Sequence, residues 1–273
     1  QHSDDQPSAS RPATQSPQPS SPSDCQATTD AKKSGASTPV AESGSPRADA
    51  DLPKAEFLST GQAKETESGV ISLEEGAATN SQGLRYLAIK HPKMQELHLS
   101  GTQLDHSCLE ATCDLVSRKK LSKLTLARVG LNNEGAKTLG LMLMTEESSH
   151  LKQLGLDGNE QITDEGVKHL ADALYTNKSV EELSLWGAGL GDEGATAVAH
   201  ALKSNTTLKQ LWLGECENLT DRGGKELKDA LMVNKTLQQL GLVCTMVSDE
   251  LQNEIEDLVQ SDRSGILPFA SPA

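Results

Sequence analysis

Aromatic residues are scarce in this chain of 273 residues, which has two Trp, two Tyr and two Phe. So few rings cannot build the core of an ordinary globular domain. Either much of the chain is unpacked, or its core is aliphatic and repetitive. Long apolar runs are also lacking, so no membrane-spanning helix is expected. No secretory signal is visible, and because the chain begins with Gln1 rather than Met, we interpret it as a fragment or a processed product.

Basic residues are in deficit. The chain has 25 Lys and Arg against 39 Asp and Glu, which gives a formal net charge of −14. Proteins that bind nucleic acids or anionic membranes generally present a basic surface to them. The charge therefore argues against nucleic acid and against a membrane as partners.

Cysteine is sparse and scattered. Its five positions form no CxxC pair, so neither a disulfide framework nor a zinc site is indicated, which favours a reducing, cytoplasmic location. Against this, four Asn-x-Ser/Thr sequons leave glycosylation in a secretory compartment open. They begin at Asn177, Asn205, Asn218 and Asn234. Three of them share one position of a repeat, where we favour the interpretation that the Asn ends a helix and the Ser or Thr begins the next turn.

Catalytic motifs are lacking as well. The sequence has no phosphate-binding glycine loop, no His-Glu-x-x-His and no Gly-x-Ser-x-Gly. Cys108 and Cys113 occupy helix positions where other repeats place Gly and Ala, so we interpret them as small buried residues rather than a redox pair. No histidine cluster has metal-ligand spacing. We therefore expect a protein without enzymatic activity, cofactor or metal.

What the sequence does contain changes in character near residue 68. Residues 1–68 hold 8 of the 11 prolines and 13 serines. Their large apolar side chains are few, namely Val40, Leu52, Phe57 and Leu58. Such a segment cannot bury enough apolar surface to offset the entropy of ordering its backbone. We predict that residues 1–68 are a disordered tether.

Beyond it, one pattern recurs six times. Each block opens with LxxLxL or a close variant, and the blocks follow one another at spacings of 27, 30, 29, 28 and 29 residues. They begin at Met94, Leu121, Leu151, Val180, Leu208 and Leu237. Alternation of the leucines is typical of a strand with one buried face. A repeat of this length decides the fold before local propensity does.

A helical pattern follows each strand motif. Counting from a small residue, usually Gly, apolar or small side chains recur at +1, +4, +5 and +8, which is one face of an α-helix. An example is Gly166, Val167, Leu170, Ala171 and Leu174. Asp or Asn stands two residues before the Gly, and we interpret it as the N-cap of that helix. The Gly is expected to let the helix start pack closely on the preceding strand.

Six copies of strand, turn and helix resemble leucine-rich repeats of the ribonuclease-inhibitor type. The resemblance implies an α/β solenoid, a horseshoe with a parallel sheet on its concave face and helices outside. We predict a degenerate N-terminal cap at residues 69–93, six repeats at 94–260 and a flexible tail at 261–273. The family often has Asn or Cys at the ninth repeat position, and only Asn159 and Cys216 match it here.

The residues between the strand leucines are the informative ones for function. In LxxLxLx the leucines point inward, so positions three, five and seven face the concavity. Trp186 and Trp212 fall at such positions on adjacent strands among small residues, and we expect them to anchor a protein partner. Polar residues form the expected rim of this site, namely Glu182, Gln210, Gln153, Asp157 and Gln239. In the alternative interpretation, the indoles only cover the repeat ridge or pack on each other.

Three hypotheses of function follow from the repeat type. The first is a protein-interaction module that resembles the C-terminal repeat region of NOD-like receptors, which implies cytosolic immune sensing or regulation. The second is a regulator of a small GTPase, as in the Ran GTPase-activating proteins, whose arrays are longer and usually have an acidic tail. The third is a ribonuclease inhibitor proper, which fits the acidity and the concave tryptophans but not the small number of cysteines and repeats. Fold alone cannot separate them.

Overall fold

A computed structural model of the chain describes residues 63–66, 69–73 and 80–261. The strands are β1 (Ala63–Glu65), β2 (Val70–Leu73), β3 (Glu96–His98), β4 (Lys123–Thr125), β5 (Gln153–Gly155), β6 (Glu182–Ser184), β7 (Gln210–Trp212) and β8 (Gln239–Gly241). The helices are α1 (Ser81–Lys90), α2 (His106–Lys119), α3 (Asn133–Leu143), α4 (Asp164–Thr176), α5 (Asp192–Leu202), α6 (Asp221–Val233) and α7 (Asp249–Ser261). Of the predicted disordered tether, residues 1–62 lie outside the described residues, and so does the predicted tail from residue 262 onward.

One sheet contains these eight strands in the order of the chain. β1 pairs antiparallel with β2, and the pairings from β2 to β8 are parallel. Parallel neighbours need a crossover connection, which the intervening helices provide. The register repeats from strand to strand, so that Leu97 lies opposite Leu124 and Leu124 lies opposite Leu154. This is the leucine-rich repeat solenoid that the sequence pattern implies.

The leucines of the LxxLxL motif form the core. In the central strand β6, Leu183 is 1% exposed, and Leu185 just beyond it is 0% exposed. Removing such apolar surface from water is the dominant favourable contribution to folding. The prediction that these leucines face inward is confirmed. Leu240 in β8 is only partly buried, because no strand follows β8 in the described residues.

The helices bury the face that the sequence pattern predicts. In α4, Val167, Leu170 and Leu174 are buried. The glycine at the helix start, however, packs on a different element from the one expected. A Cβ on Gly166 would come within 2.7 Å of Oδ1 of Asn133 and 3.1 Å of Cβ of Ala136, both in α3. The missing side chain therefore serves the approach of neighbouring helices rather than of helix and strand.

The helix N-caps lie one residue earlier than predicted. Those of α3, α4 and α5 are Asn132, Thr163 and Gly191. The predicted caps, Asn133, Asp164 and Asp192, are instead the first residues of their helices. Their side chains reach the next repeat, where Oδ1 of Asp164 accepts hydrogen bonds from the N–H groups of Gly191 at 2.6 Å and Gly194 at 2.9 Å. Each therefore satisfies the N-terminal N–H groups of the following helix.

The N-terminal end of the sheet is more extensive than predicted. β1 lies inside residues 1–68, which are predicted to be disordered, so the predicted boundary at residue 68 is too late. Ile71 is 0% exposed and lies opposite Leu97, and Leu73 is 5% exposed. These two residues take the places of the last two leucines of LxxLxL. β2 and α1 consequently form a repeat of their own, where the sequence predicts only a degenerate cap.

Three of the sequon asparagines are buried between repeats. Asn205 is 2% exposed, and its Nδ2 donates to the carbonyl oxygen of Leu174 at 2.6 Å. Its Oδ1 accepts from the backbone N–H groups two and three residues later, both at 2.8 Å. Asn177 and Asn234 make the same contacts one repeat earlier and later. The prediction that these asparagines have a structural role at the helix ends is confirmed.

Candidate functional site

The face of the sheet opposite the helices, named the concave face here, carries positions three, five and seven of each block. Position three holds Glu96, Lys123, Gln153, Glu182, Gln210 and Gln239. Position five holds His98, Thr125, Gly155, Ser184, Trp212 and Gly241. Position seven holds Ser100, Ala127, Asp157, Trp186, Gly214 and Val243. Parallel register aligns the residues of positions three and five into continuous rows across β3 to β8.

Two pairs of residues in the polar row at position three are hydrogen-bonded between neighbouring strands. Nε2 of Gln153 donates to Oε2 of Glu182 at 2.8 Å, and Nε2 of Gln210 donates to Oε1 of Gln239 at 2.5 Å. Both bonds link neighbouring repeats and restrict the side chains that make them. The structure thus brings four of the five predicted rim residues into one border, along the N-terminal ends of the strands.

Asp157, the fifth predicted rim residue, lies in the row of position seven, beside Trp186. Its Oδ1 accepts a hydrogen bond from Oγ of Ser184. Its Oδ2 lies 3.1 Å from the place that a Cβ on Gly155 would occupy. The carboxylate therefore folds back along the sheet and fills the space above the glycine.

Trp186 lies flat on the next repeat. A Cβ built on Gly214, the residue at position seven of the next block, would be 2.5, 2.6 and 2.7 Å from three consecutive atoms of the six-membered ring of Trp186. Near-equal distances of this kind put the glycine against the face of the ring rather than its edge. Because a side chain at Gly214 would point out of the sheet on the concave side, the opposite face of the ring is directed away from the sheet.

Trp212 approaches the next repeat differently. A Cβ on Gly241 would be 2.5 Å from Cε3 of Trp212, 3.0 Å from Cζ3 and 3.7 Å from Cδ2. This spread of distances indicates that Gly241 meets the edge of the indole. Both tryptophans are partly exposed. The role of the rings in binding stays a prediction.

The residue after each strand motif adopts a positive φ, a feature that the sequence reasoning missed. This residue is the eighth of each block. In three blocks it is a glycine, namely Gly101 with a φ of 71°, Gly158 with 68° and Gly187 with 66°. The other three blocks hold Arg128 (54°), Glu215 (54°) and Cys244 (58°). A left-handed backbone costs a residue with a Cβ roughly 1–2 kcal/mol. Glycine at the same position in three blocks was the signal that could have revealed this turn.

Charge is unevenly distributed over the concave face. At positions three, five, seven and eight, the first two blocks carry the cations Lys123 and Arg128. The last four blocks carry three carboxylates there, Asp157, Glu182 and Glu215, and no Lys or Arg. At these positions the last four blocks therefore contribute only negative charge, while the side chain of Arg128 reaches the third block, where its Cγ lies 2.5 Å from the place that a Cβ on Gly158 would occupy.

Reactive groups elsewhere are few. Burial raises the pKa of the Cys108 thiol to about 11 and that of Cys113 to about 12, so both are protonated and poorly nucleophilic at neutral pH. No three His, Cys, Asp or Glu side chains of the described residues are grouped to hold a metal ion. None of the helices in these residues has the length and apolar character needed to cross a membrane.

Known proteins with similar sequences include proteins with leucine-rich repeats. The TMOD/LMOD leucine-rich domain family matches residues 141–267. Mouse ribonuclease inhibitor is 29% identical over 197 residues, which are 60% of this chain and 42% of the inhibitor. Human NACHT, LRR and PYD domains-containing protein 13 is 33% identical over 159 residues, which are 57% of this chain and 15% of that protein. The chain therefore spans less than half the length of these relatives.

The repeat period, the LxxLxL strands and the parallel register show that the chain consists of leucine-rich repeats, and these sequence relatives support the ribonuclease-inhibitor type. The resemblance inferred from the sequence motifs is confirmed. Among solved structures, leiomodin-1 actin-binding site 2 is similar, with 20% sequence identity and a TM-score of 0.49 over 56% of this chain and 86% of that one.

Proposed function

We propose that the chain is a non-enzymatic protein-interaction module that binds a protein partner on its concave face, around Trp186 and Trp212. The observation that carries the proposal is the orientation of Trp186, whose one face rests on Gly214 while the other is directed away from the sheet. Rigid aromatic side chains of this kind are preferred anchors of protein interfaces. The polar row at position three, with its two hydrogen-bonded pairs, suits the polar rim that surrounds such anchors.

The sequence relatives support the class of function and suggest its setting. One is named as an inhibitor of an enzyme, and others carry leucine-rich repeats beside NACHT and PYD domains. By analogy with the repeat regions of NOD-like receptors, we propose a cytosolic location and a role in innate-immune sensing or regulation.

Affinity capture from cytosol with the full chain as bait tests the proposal. Proteins retained by the unaltered chain are compared with those retained by a Trp186→Ala/Trp212→Ala variant. A captured protein is then purified, and its dissociation constant is measured with each single variant. We expect each substitution to weaken binding by about tenfold or more, as for hot-spot residues.

A matched control uses an exposed aromatic residue on the helical side. Tyr175 is 46% exposed and stacks on His200 in the neighbouring helix α5. Tyr175→Ala should leave the affinity unchanged, because this ring lies on the opposite side of the sheet. Partner binding that survives loss of both tryptophans, or that needs Tyr175 instead, would exclude the concave site.

A further inference from the structure

The open face of Trp186 and the carboxylate of Glu215 border the same part of the concave face. Trp186 rests on Gly214, and Glu215 is the next residue along the chain. The side chain of Glu215 turns back toward β6, where its Oε2 lies 3.8 Å from the place that a Cβ on Gly187 would occupy. Gly187 directly follows Trp186. The ring and the carboxylate thus belong to adjacent backbone positions on neighbouring repeats.

Folding alone does not account for Glu215. The residue is exposed and takes part in none of the ion pairs that the described residues form. Glu181, by contrast, bridges Lys152 and Lys209. Glu215 also adopts a φ of 54° at a position where three other blocks have glycine. Its backbone N–H donates to the carbonyl oxygen of Val243 at 2.9 Å, but its carboxylate has no ion pair among the described residues. An exposed carboxylate left unpaired in a costly backbone conformation points to a role outside folding.

We propose that Trp186 and Glu215 together bind the guanidinium group of an arginine on the partner protein. Arginine satisfies both groups at once, because its planar cation stacks on an indole face and its N–H groups pair with a carboxylate. Asp157 and Glu182 add negative potential, and the last four blocks place no Lys or Arg on the concave positions. The inference rests on the proposed function and states the chemistry of the partner's central contact.

Three short peptides separate the contributions of charge and shape. They are blocked tripeptides with Gly on both sides of arginine, lysine or citrulline. Lysine keeps the positive charge but lacks a planar end group. Citrulline keeps a planar end group and most of the shape of arginine but is uncharged. A Trp212→Phe variant of the full chain leaves Trp186 as the single indole, so its side-chain N–H resonance reports the site directly.

We expect the arginine peptide to shift the Trp186 resonance in a saturable way. The citrulline peptide should bind about tenfold more weakly, and added salt should weaken the arginine peptide, because the contact depends on charge. Glu215→Gln should weaken the arginine peptide several-fold. Glu217→Gln, which removes another exposed carboxylate of the same loop, should change its affinity by less than about twofold, since it does not border the ring.

Three results would each overturn this inference. The first is an arginine peptide that leaves the Trp186 resonance unmoved. The second is equal binding of the arginine and citrulline peptides, and the third is equal effects of Glu215→Gln and Glu217→Gln. Each of them can occur while a captured partner still depends on Trp186, and then the proposed function stands with a different central contact. A captured partner whose affinity is unchanged by substitution of both tryptophans would instead contradict the proposed function itself.

Discussion

Asn133 and Asp192 make the same two hydrogen bonds at different repeat interfaces, one as an amide and the other as a carboxylate. Oδ1 of Asn133 accepts from the N–H groups of Thr163 at 2.9 Å and Gly166 at 3.1 Å. Oδ1 of Asp192 accepts from the two equivalent N–H groups at the start of α6, both at 2.9 Å. The contact therefore needs an oxygen acceptor, which an amide or a carboxylate can supply.

Stability in acid should depend on Asp192. Burial alone would raise the pKa of this carboxyl, but hydrogen bonds from the N–H and hydroxyl of Thr220 outweigh it and leave the pKa lowered. A lowered pKa stabilises the fold above the pKa of the unfolded chain, about 3.9, and that contribution is lost as pH falls through the folded value. Asp192→Asn, which copies Asn133, should therefore flatten the acid branch of the pH–stability curve, measured by urea unfolding.

Two further substitutions calibrate that measurement. Asp192→Ala removes the acceptor and should cost about 1 kcal/mol at neutral pH, as loss of a helix cap does. Asp229→Asn removes an exposed carboxylate of α6 and should leave the acid branch unchanged. If Asp192→Asn lost stability in acid as steeply as the unaltered chain, other carboxylates would govern the acid branch.

The buried asparagine row should be essential for joining repeats. Asn205→Ala leaves carbonyl and N–H groups in the interior without partners, and each unsatisfied group costs about 1–3 kcal/mol. We therefore expect a loss of several kcal/mol in the free energy of unfolding, measured by denaturant titration. Asn218→Ala is the matched control, because Asn218 also begins a sequon but is exposed. Equal losses in the two variants would contradict the structural role of Asn205.

The central leucines should contribute more than those at the C-terminal end of the sheet. Leu185 is 0% exposed, and its truncation to Ala should cost about 2–5 kcal/mol because a cavity remains. Leu240→Ala should cost less, since Leu240 is only partly buried and its surroundings already meet solvent. We expect thermal denaturation curves of the same shape for the two variants, with a larger decrease in Tm for Leu185→Ala than for Leu240→Ala. A loss below about 1 kcal/mol for Leu185→Ala would contradict its inward position.

Periodic burial made most of the fold predictable. Each leucine of LxxLxL must face the interior for the strand to have a buried side, so the spacing alone located the strands from β3 to β8. β2 was missed because Ile71 and Leu73 supply only two of the three leucine positions of the motif, and such a partial motif is common outside repeats. Its place in the sheet depends on contact with β3, which no local pattern encodes.

Contacts between repeats were the part that sequence could not supply. The capping residues were predicted from their place at the start of a helix, but Asp164 bonds the helix of the following repeat, a contact invisible within a single block. The tryptophans likewise were located on the correct face by strand alternation. Whether a ring stands up from the sheet or lies on its neighbour depends on a glycine one repeat away, such as Gly214 for Trp186.

Gly214 should therefore hold Trp186 in its binding orientation. A methyl group on Gly214 would lie 2.5–2.7 Å from three ring atoms of Trp186, so Gly214→Ala must lift the ring from the sheet. In a Trp212→Phe background, we expect the emission of Trp186 to shift to longer wavelength, because the ring gains water, and partner affinity to fall. Stability should drop by roughly 1–3 kcal/mol, as for overpacking. Gly155→Ala, which crowds Asp157 instead, should leave the emission unchanged, whereas an unshifted spectrum in Gly214→Ala would contradict the flat position of the ring.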